Sequence, residues 1–238
     1  FASHLLLDTQ STVIERKPSN LSFTNAASIP VVFLTASLCL EELARLKKGE
    51  KILIHAATGG VGLAAIQIAK RIGAEVFATT GSKEKRSFLR SLGIQHVMNS
   101  RNTDFANEVM TITNGEGVDV VLNSLTSGDF IPKSLSILKQ NGRFVEIGKV
   151  GIWEPSKVKE HFGHGNLSYF IFELLQMTKT HPETVKACLH HLVEDFENGI
   201  LKPLPQTEFP IEQSSRAFEL MKQAKHIGKI VISQSNLH

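Results

Sequence analysis

Only two cysteines, Cys39 and Cys188, occur in 238 residues, and neither has a partner at short spacing. That excludes a disulfide framework and a cysteine-based zinc site, and it fits a reducing, cytoplasmic compartment. The formal net charge is +3, with no dense Lys/Arg run, so no nucleic-acid partner is expected. No apolar run reaches about 18 residues, so no membrane span is expected. The opening "FASHLLLDTQ" lacks the layout of a secretory signal and reads like the middle of a strand, as in a piece of something longer. There are no repeats and no low-complexity segments.

What is present is 42% hydrophobic residues, enough to build one large or two small cores. Glycine and asparagine divide the chain into a regular rhythm. "KILIHA" (Lys51–Ala56), "AEVFATT" (Ala74–Thr80), "QHVMNS" (Gln95–Ser100), "VDVVLNSL" (Val118–Leu125) and "RFVEIGK" (Arg143–Lys149) read as buried strands. Helical spacing separates them, in "GLAAIQIAKRIG", in "KEKRSFLRSLG" capped by Ser82, in "DFANEVMTIT" and in "FIPKSLSILKQNG". Near-continuous apolar strands alternating with helices imply a doubly wound α/β fold, with a parallel sheet covered on both faces. Beyond it, 151–167 is expected to be a loop, 168–178 and 182–198 helices, "IEQSSRAFELMKQ" a helix and "GKIVIS" a last strand.

The first strand runs into "ATGGVG", and a helix follows. In this fold an anion lies on the free N–H groups of that helix start, where a side chain would keep it away. Thr58, Gly59, Gly60, Val61 and Gly62 are therefore candidate pyrophosphate neighbours, the glycines also serving close helix–strand packing. The alternative is a merely tight strand-to-helix turn. An NAD site carries an acid at the end of the second strand, about 20 residues on. Here "TTGSKEKR" offers Ser82, Lys83, Lys85 and Arg86 instead, which suit the 2′-phosphate of NADPH. A solvated helix face explains the same cations, and Glu84 reads as a solvated first-turn acid. Asn123 and Ser124, and Gly148 and Lys149, end the fourth and fifth strands and are candidate neighbours of the nicotinamide half.

"AATGGVGLAAIQIAK", "GVDVVLNSL" and "GRFVEIGK" together resemble the enoyl reductase domains of modular polyketide synthases and animal-type fatty acid synthases. These form a zinc-free branch of the medium-chain dehydrogenase/reductase superfamily. "AASIPVVFLTASLCLEELARLKKGE", "NSRNTDF" and "AFELMKQAKHIGKIVIS" extend the resemblance over nearly the whole chain. It implies a Rossmann domain over 31–200, with a partial GroES-like substrate domain formed from both chain ends, 1–30 and 201–238. It implies NADPH-dependent reduction of the 2,3 double bond of a 2-enoyl thioester on acyl carrier protein. Ketoreductase and dehydratase domains would be its neighbours, and a homodimer is one arrangement open to it. A lysine/aspartate pair of the family matches Lys85 and Asp104, and Thr35 corresponds to a neighbour of the nicotinamide. Asp104 also reads as a helix N-cap, and Lys85 cannot serve both the phosphate and the nicotinamide. Tyr169 carries no role. His161 with His164, and His190 with His191, lack a third ligand, so no metal is expected. A free-standing quinone or enone reductase, a synthase domain doing reductive ring closure and a non-catalytic remnant share these motifs.

Overall fold

Ile52, Leu53 and Ile54 have no solvent exposure, though successive strand residues face opposite sides of a sheet. Both faces of the sheet are therefore covered. The computed structural model describes residues 6–8, 12–162 and 166–234. It contains six parallel strands: β1 (Lys51–Ile54), β2 (Glu75–Thr80), β3 (His96–Asn99), β4 (Val118–Asn123), β5 (Leu138–Glu146) and β6 (Ser168–Ile171). Their spatial order is β3-β2-β1-β4-β5-β6, so the winding reverses between β1 and β4. A crevice opens at that reversal, outside the carboxyl ends of the strands.

On one face Ile52, Ile54, Val120 and Val145 pack in a core with α2 (Pro30–Ser37), α3 (Gly60–Ile72) and α9 (Pro182–Glu197). On the other, Leu53, Phe77, Val121 and Phe144 meet α5 (Phe105–Ile112), α6 (Phe130–Ser136) and Val158 of α7 (Pro155–Phe162). The helix α4 (Lys83–Ser91) follows β2, its start capped by Ser82. After α2 the chain makes a π-helical turn, Leu38–Leu43, with the Ala44 amide donating to the Cys39 carbonyl at 2.9 Å.

A small second sheet pairs β7 (Gln206–Pro210) with β8 (Lys229–Ser233) in parallel, joined through α10 (Ser214–Lys222). The short helix α1 (Phe23–Ala27) packs on β8, and the Gln206 amide donates to Asn25 Oδ1 at 3.0 Å. The remaining helix is α8 (Leu174–Thr180).

Three sequence expectations are corrected. The helix read through Gly142 ends at Ser136, and β5 starts at Leu138. Asn141 sits in this strand at φ 61°, a conformation Asn accepts better than most residues. Val118 pairs with Leu138 but Val120 with Arg143, so the register against β4 slips across that residue. The expected loop over 151–167 contains α7, which Pro155 starts and the buried Val158 anchors. The expected helix over 168–178 is the edge strand β6 followed by α8, because Tyr169 and Phe170 add to β5. Cys39 is buried and Cys188 partly so, both as free thiols. Among the described residues no helix is long and apolar enough to cross a membrane.

Candidate dinucleotide site

Ala56 follows β1 at φ 49°, a left-handed conformation that turns the chain sharply towards α3. The Gly59 amide donates to the Ala56 carbonyl, and Gly59 then stands as the N-cap of α3 without any side-chain cap. The first amides of a 13-residue helix thus face the crevice with no capping side chain. The three glycines do different work. A Cβ on Gly62 would lie 2.6 Å from Ala57 Cα, so its role is close packing of helix on strand. A Cβ on Gly60 would strike Val32 Cγ1 at 2.8 Å and Lys229 Cδ at 2.9 Å. Only Gly59 lines the cavity, as do Ala56 and Thr58. Thr58 is buried with its hydroxyl 2.8 Å from that of Thr80, tying the turn to the end of β2.

This turn separates two cavities. One, of about 770 Å³, lies over the ends of β2 and β3 and is lined by Gly81, Ser82, Lys85 and Arg101 and by the 223–227 turn. The other, of about 420 Å³, lies beside β5 and β6 and is largely apolar, with Thr35, Val61, Ile147, Phe172 and Leu174 in its walls. Lys149 stands at its edge and pairs with Glu173 at 3.5 Å.

Ser82 Oγ accepts the Lys85 amide, so the hydroxyl is already used as the cap of α4. Glu84 lines the cavity rim, and bonds from its own amide and the Ser82 hydroxyl lower its pKa. Lys85 Nζ donates to the Ala224 carbonyl at 2.8 Å. Partial burial and, secondly, the nearby Arg101 lower its pKa. The Arg101 guanidinium lies against Gly81, where a Cβ would come within 2.7 Å of Nε. Among the described residues it meets no carboxylate within 4.0 Å. Nδ1 of His226, on the same wall, is buried without a hydrogen-bond partner. The two cations, Lys85 and Arg101, on one cavity form a donor set suited to an anion.

The structure does not bring Lys85 and Asp104 together as a pair. Lys85 is held by a carbonyl, and the Asp104 carboxylate accepts from the Asn102 amide. Asp104 occupies the N-cap position of α5 but its side chain makes no capping bond. Both stand on the β2–β3 side of the reversal, away from the apolar cavity. Asn123 is wholly buried at the end of β4, with Nδ2 donating to Glu146 Oε2 at 2.6 Å and to the Leu125 carbonyl at 3.1 Å. Gly148 donates its amide to Glu146 Oε1 at 2.6 Å, and a Cβ there would strike the same oxygen. Ser124 stays partly exposed at the end of β4. Tyr169 donates its hydroxyl to the Trp153 carbonyl at 2.9 Å, and burial pushes its pKa up to about 12. His161 packs edge-on against Trp153, His190 lies beside Glu15, and His164 lies outside the described residues. Among the described residues no three His, Cys, Asp or Glu side chains converge as a metal site.

Sequence reasoning missed Arg101 and Glu146. Arg101 follows β3 rather than β2, and only the parallel pairing of the two strands puts it beside Gly81. Glu146 looks like an ordinary acid at a strand end.

Fold and crevice define a dinucleotide-binding oxidoreductase domain. A family model described as zinc-binding dehydrogenase matches residues 60–189. The chain is 42% identical over 224 residues to a mycocerosic acid synthase-like polyketide synthase of Mycolicibacterium smegmatis, covering 94% of this chain and 10% of that protein. The solved CurK enoyl reductase is 52% identical with a TM-score of 0.86, over 91% of this chain and 64% of that one. The CurF ER cyclopropanase from the curacin A biosynthetic pathway is 46% identical with a TM-score of 0.87, over 91% and 64%. The chain belongs to the zinc-binding dehydrogenase family and, within it, to the enoyl reductase domains of polyketide synthases in the medium-chain dehydrogenase/reductase superfamily. It spans about 10% of the length of the curated mycobacterial synthases it matches. The cofactor class of these enoyl reductase and dehydrogenase neighbours is nicotinamide, and the donor set of the crevice fits it.

Proposed function

We propose that this chain is the cofactor-binding part of a polyketide synthase enoyl reductase that uses NADPH to saturate the 2,3 double bond of a 2-enoyl thioester carried on acyl carrier protein. The observation that carries this reading is the division of the crevice into a cationic cavity and an apolar one on either side of a bare helix start. Lys85 and Arg101 hold the 2′-phosphate, and the first amides of α3 hold the pyrophosphate. When bound, the cofactor would supply the hydride that goes to the β-carbon of the acyl chain, and a proton drawn from solvent completes the α-carbon. Thr35, Val61, Ile147 and Phe172 exclude water from the apolar cavity, where the nicotinamide and the acyl chain meet. Lys85 serves the phosphate rather than the proton transfer, because its ammonium lies on the adenosine side. Asp104 is likewise left without a catalytic part in this reading. The Rossmann portion is taken as 31–200, with 1–30 and 201–238 contributing to a GroES-like substrate domain. Ketoreductase and dehydratase domains of the same synthase would supply the enoyl substrate. The likeness to the CurF cyclopropanase favours reductive ring closure as the second reading.

The test is steady-state reduction of a carrier-bound crotonyl thioester by the full-length reductase domain. NADPH should be consumed with formation of the butyryl thioester. The double variant Lys85→Ala/Arg101→Ala should raise KM for NADPH by roughly ten- to a hundredfold, with KM for NADH changing less than about twofold. Equal losses with the two cofactors would overturn the 2′-phosphate assignment. A halogenated substrate closing to a ring, with crotonyl thioester inert, would select the second reading.

A further inference from the structure

Glu146 is the only fully buried carboxylate among the described residues, and no lysine or arginine faces it. Burying a charge without a counter-charge is costly, so an apolar residue would serve the core better if filling were the only need. Neutral donors grip the carboxylate instead. Asn123 at the end of β4 donates to one oxygen and the Gly148 amide, in the loop after β5, to the other. Burial raises the pKa of the group, and these donors lower it. Asn123 also fixes its own loop, donating to the Leu125 carbonyl and accepting the Leu125 amide at 3.3 Å. A second tie joins the same two loops, from Thr126 Oγ1 to the Val150 carbonyl at 2.6 Å. The loop after β5 carries Ile147 and Lys149, which line the apolar cavity.

We infer that Glu146 is a positioning residue that latches the loops after β4 and β5 to each other and so sets the wall against which the nicotinamide half of the cofactor lies. This rests on the reading of the crevice given above. A latch of this kind acts on one half of the site only. Glu146→Gln turns one accepting oxygen into a donor that confronts Asn123 Nδ2.

The full-length reductase domain is titrated with NADPH and, separately, with adenosine 2′,5′-bisphosphate, which fills only the adenosine half. Glu146→Gln should weaken NADPH binding roughly tenfold, with the bisphosphate changing less than about twofold. Hydrogen exchange of 147–151 should speed up in Glu146→Gln. Unchanged NADPH affinity in Glu146→Gln, or equal losses for both ligands, would overturn the latch while leaving the cofactor assignment in place. Failure of the unsubstituted domain to bind either ligand would instead remove the reading beneath it. Should Glu146→Gln not fold, Thr126→Val decides in the same way, with a loss confined to NADPH supporting the latch.

Discussion

His55, just after β1, shows how a polar residue in this core is held and what it does to stability. It is 3% exposed, with Nδ1 2.8 Å from Thr79 Oγ1 and Nε2 2.8 Å from Ser134 Oγ. The ring therefore joins β1 to β2 and to α6, and Phe105 packs against it edge-on. Burial lowers its pKa from 6.5 to about 3. Between those two values the unfolded chain binds a proton that the folded chain refuses, so stability rises with pH across the window. The contribution is complete above 6.5 and is lost as pH falls towards 3. The slope from this one group approaches about 1.4 kcal/mol per pH unit. His55→Asn keeps one of the two hydrogen bonds and removes the titration. It should be destabilised near neutrality but lose less stability than the parent on acidification. Urea unfolding curves through that window check this. Parallel curves for the two proteins would mean that the imidazole is charged in the folded state.

At the scale of elements, α9 is held to α2 by an edge-on contact between Phe33 and Phe196, centroids 4.9 Å apart, both rings buried. Phe196→Ala should cost about 3–5 kcal/mol in urea unfolding. A loss below about 1 kcal/mol would mean that α9 collapses into the gap. The same contrast between core and periphery explains what could be read from the residues alone. The strands β1 to β4 were legible because they are short apolar runs closed by glycine, asparagine or serine, with Gly62 marking the close approach of α3. The edge strand β6 was not, because "YFIFELLQM" runs from strand to helix without punctuation and the edge position buries neither face fully. The glycine turn between β1 and α3 was legible as a local pattern. Arg101 and Glu146 were not, because each gains its role from a residue on a neighbouring parallel strand, 20 or more positions away. Lys85 and Asp104 follow adjacent strands, yet each side chain bonds within its own surroundings rather than to the other.

Across the whole molecule, the small β7–β8 sheet is fastened to the glycine turn between β1 and α3. The Gly228 amide donates to the Thr58 carbonyl at 2.9 Å, and Gly228 forms a parallel bridge with Gly59. Lys229 donates to the Pro205 carbonyl, and Lys85 reaches across the cavity to Ala224. Residues 223–227 thus form a wall of the cationic cavity although they lie between α10 and β8. Gly228 makes this fit feasible. It sits at φ 73°, and a Cβ there would come within 2.0 Å of the Pro205 carbonyl oxygen. Gly228→Ala forces the turn away from Thr58 and takes Ala224 from Lys85. The six-stranded core holds none of the displaced contacts except Thr58. Its urea unfolding should therefore shift by no more than about 1–2 kcal/mol. Hydrogen exchange at 223–228 should accelerate, and NADPH affinity should fall roughly tenfold without any change in a cofactor-facing side chain. If exchange there accelerates and affinity holds, the 223–228 turn is a neighbour of the coenzyme and not part of its binding wall.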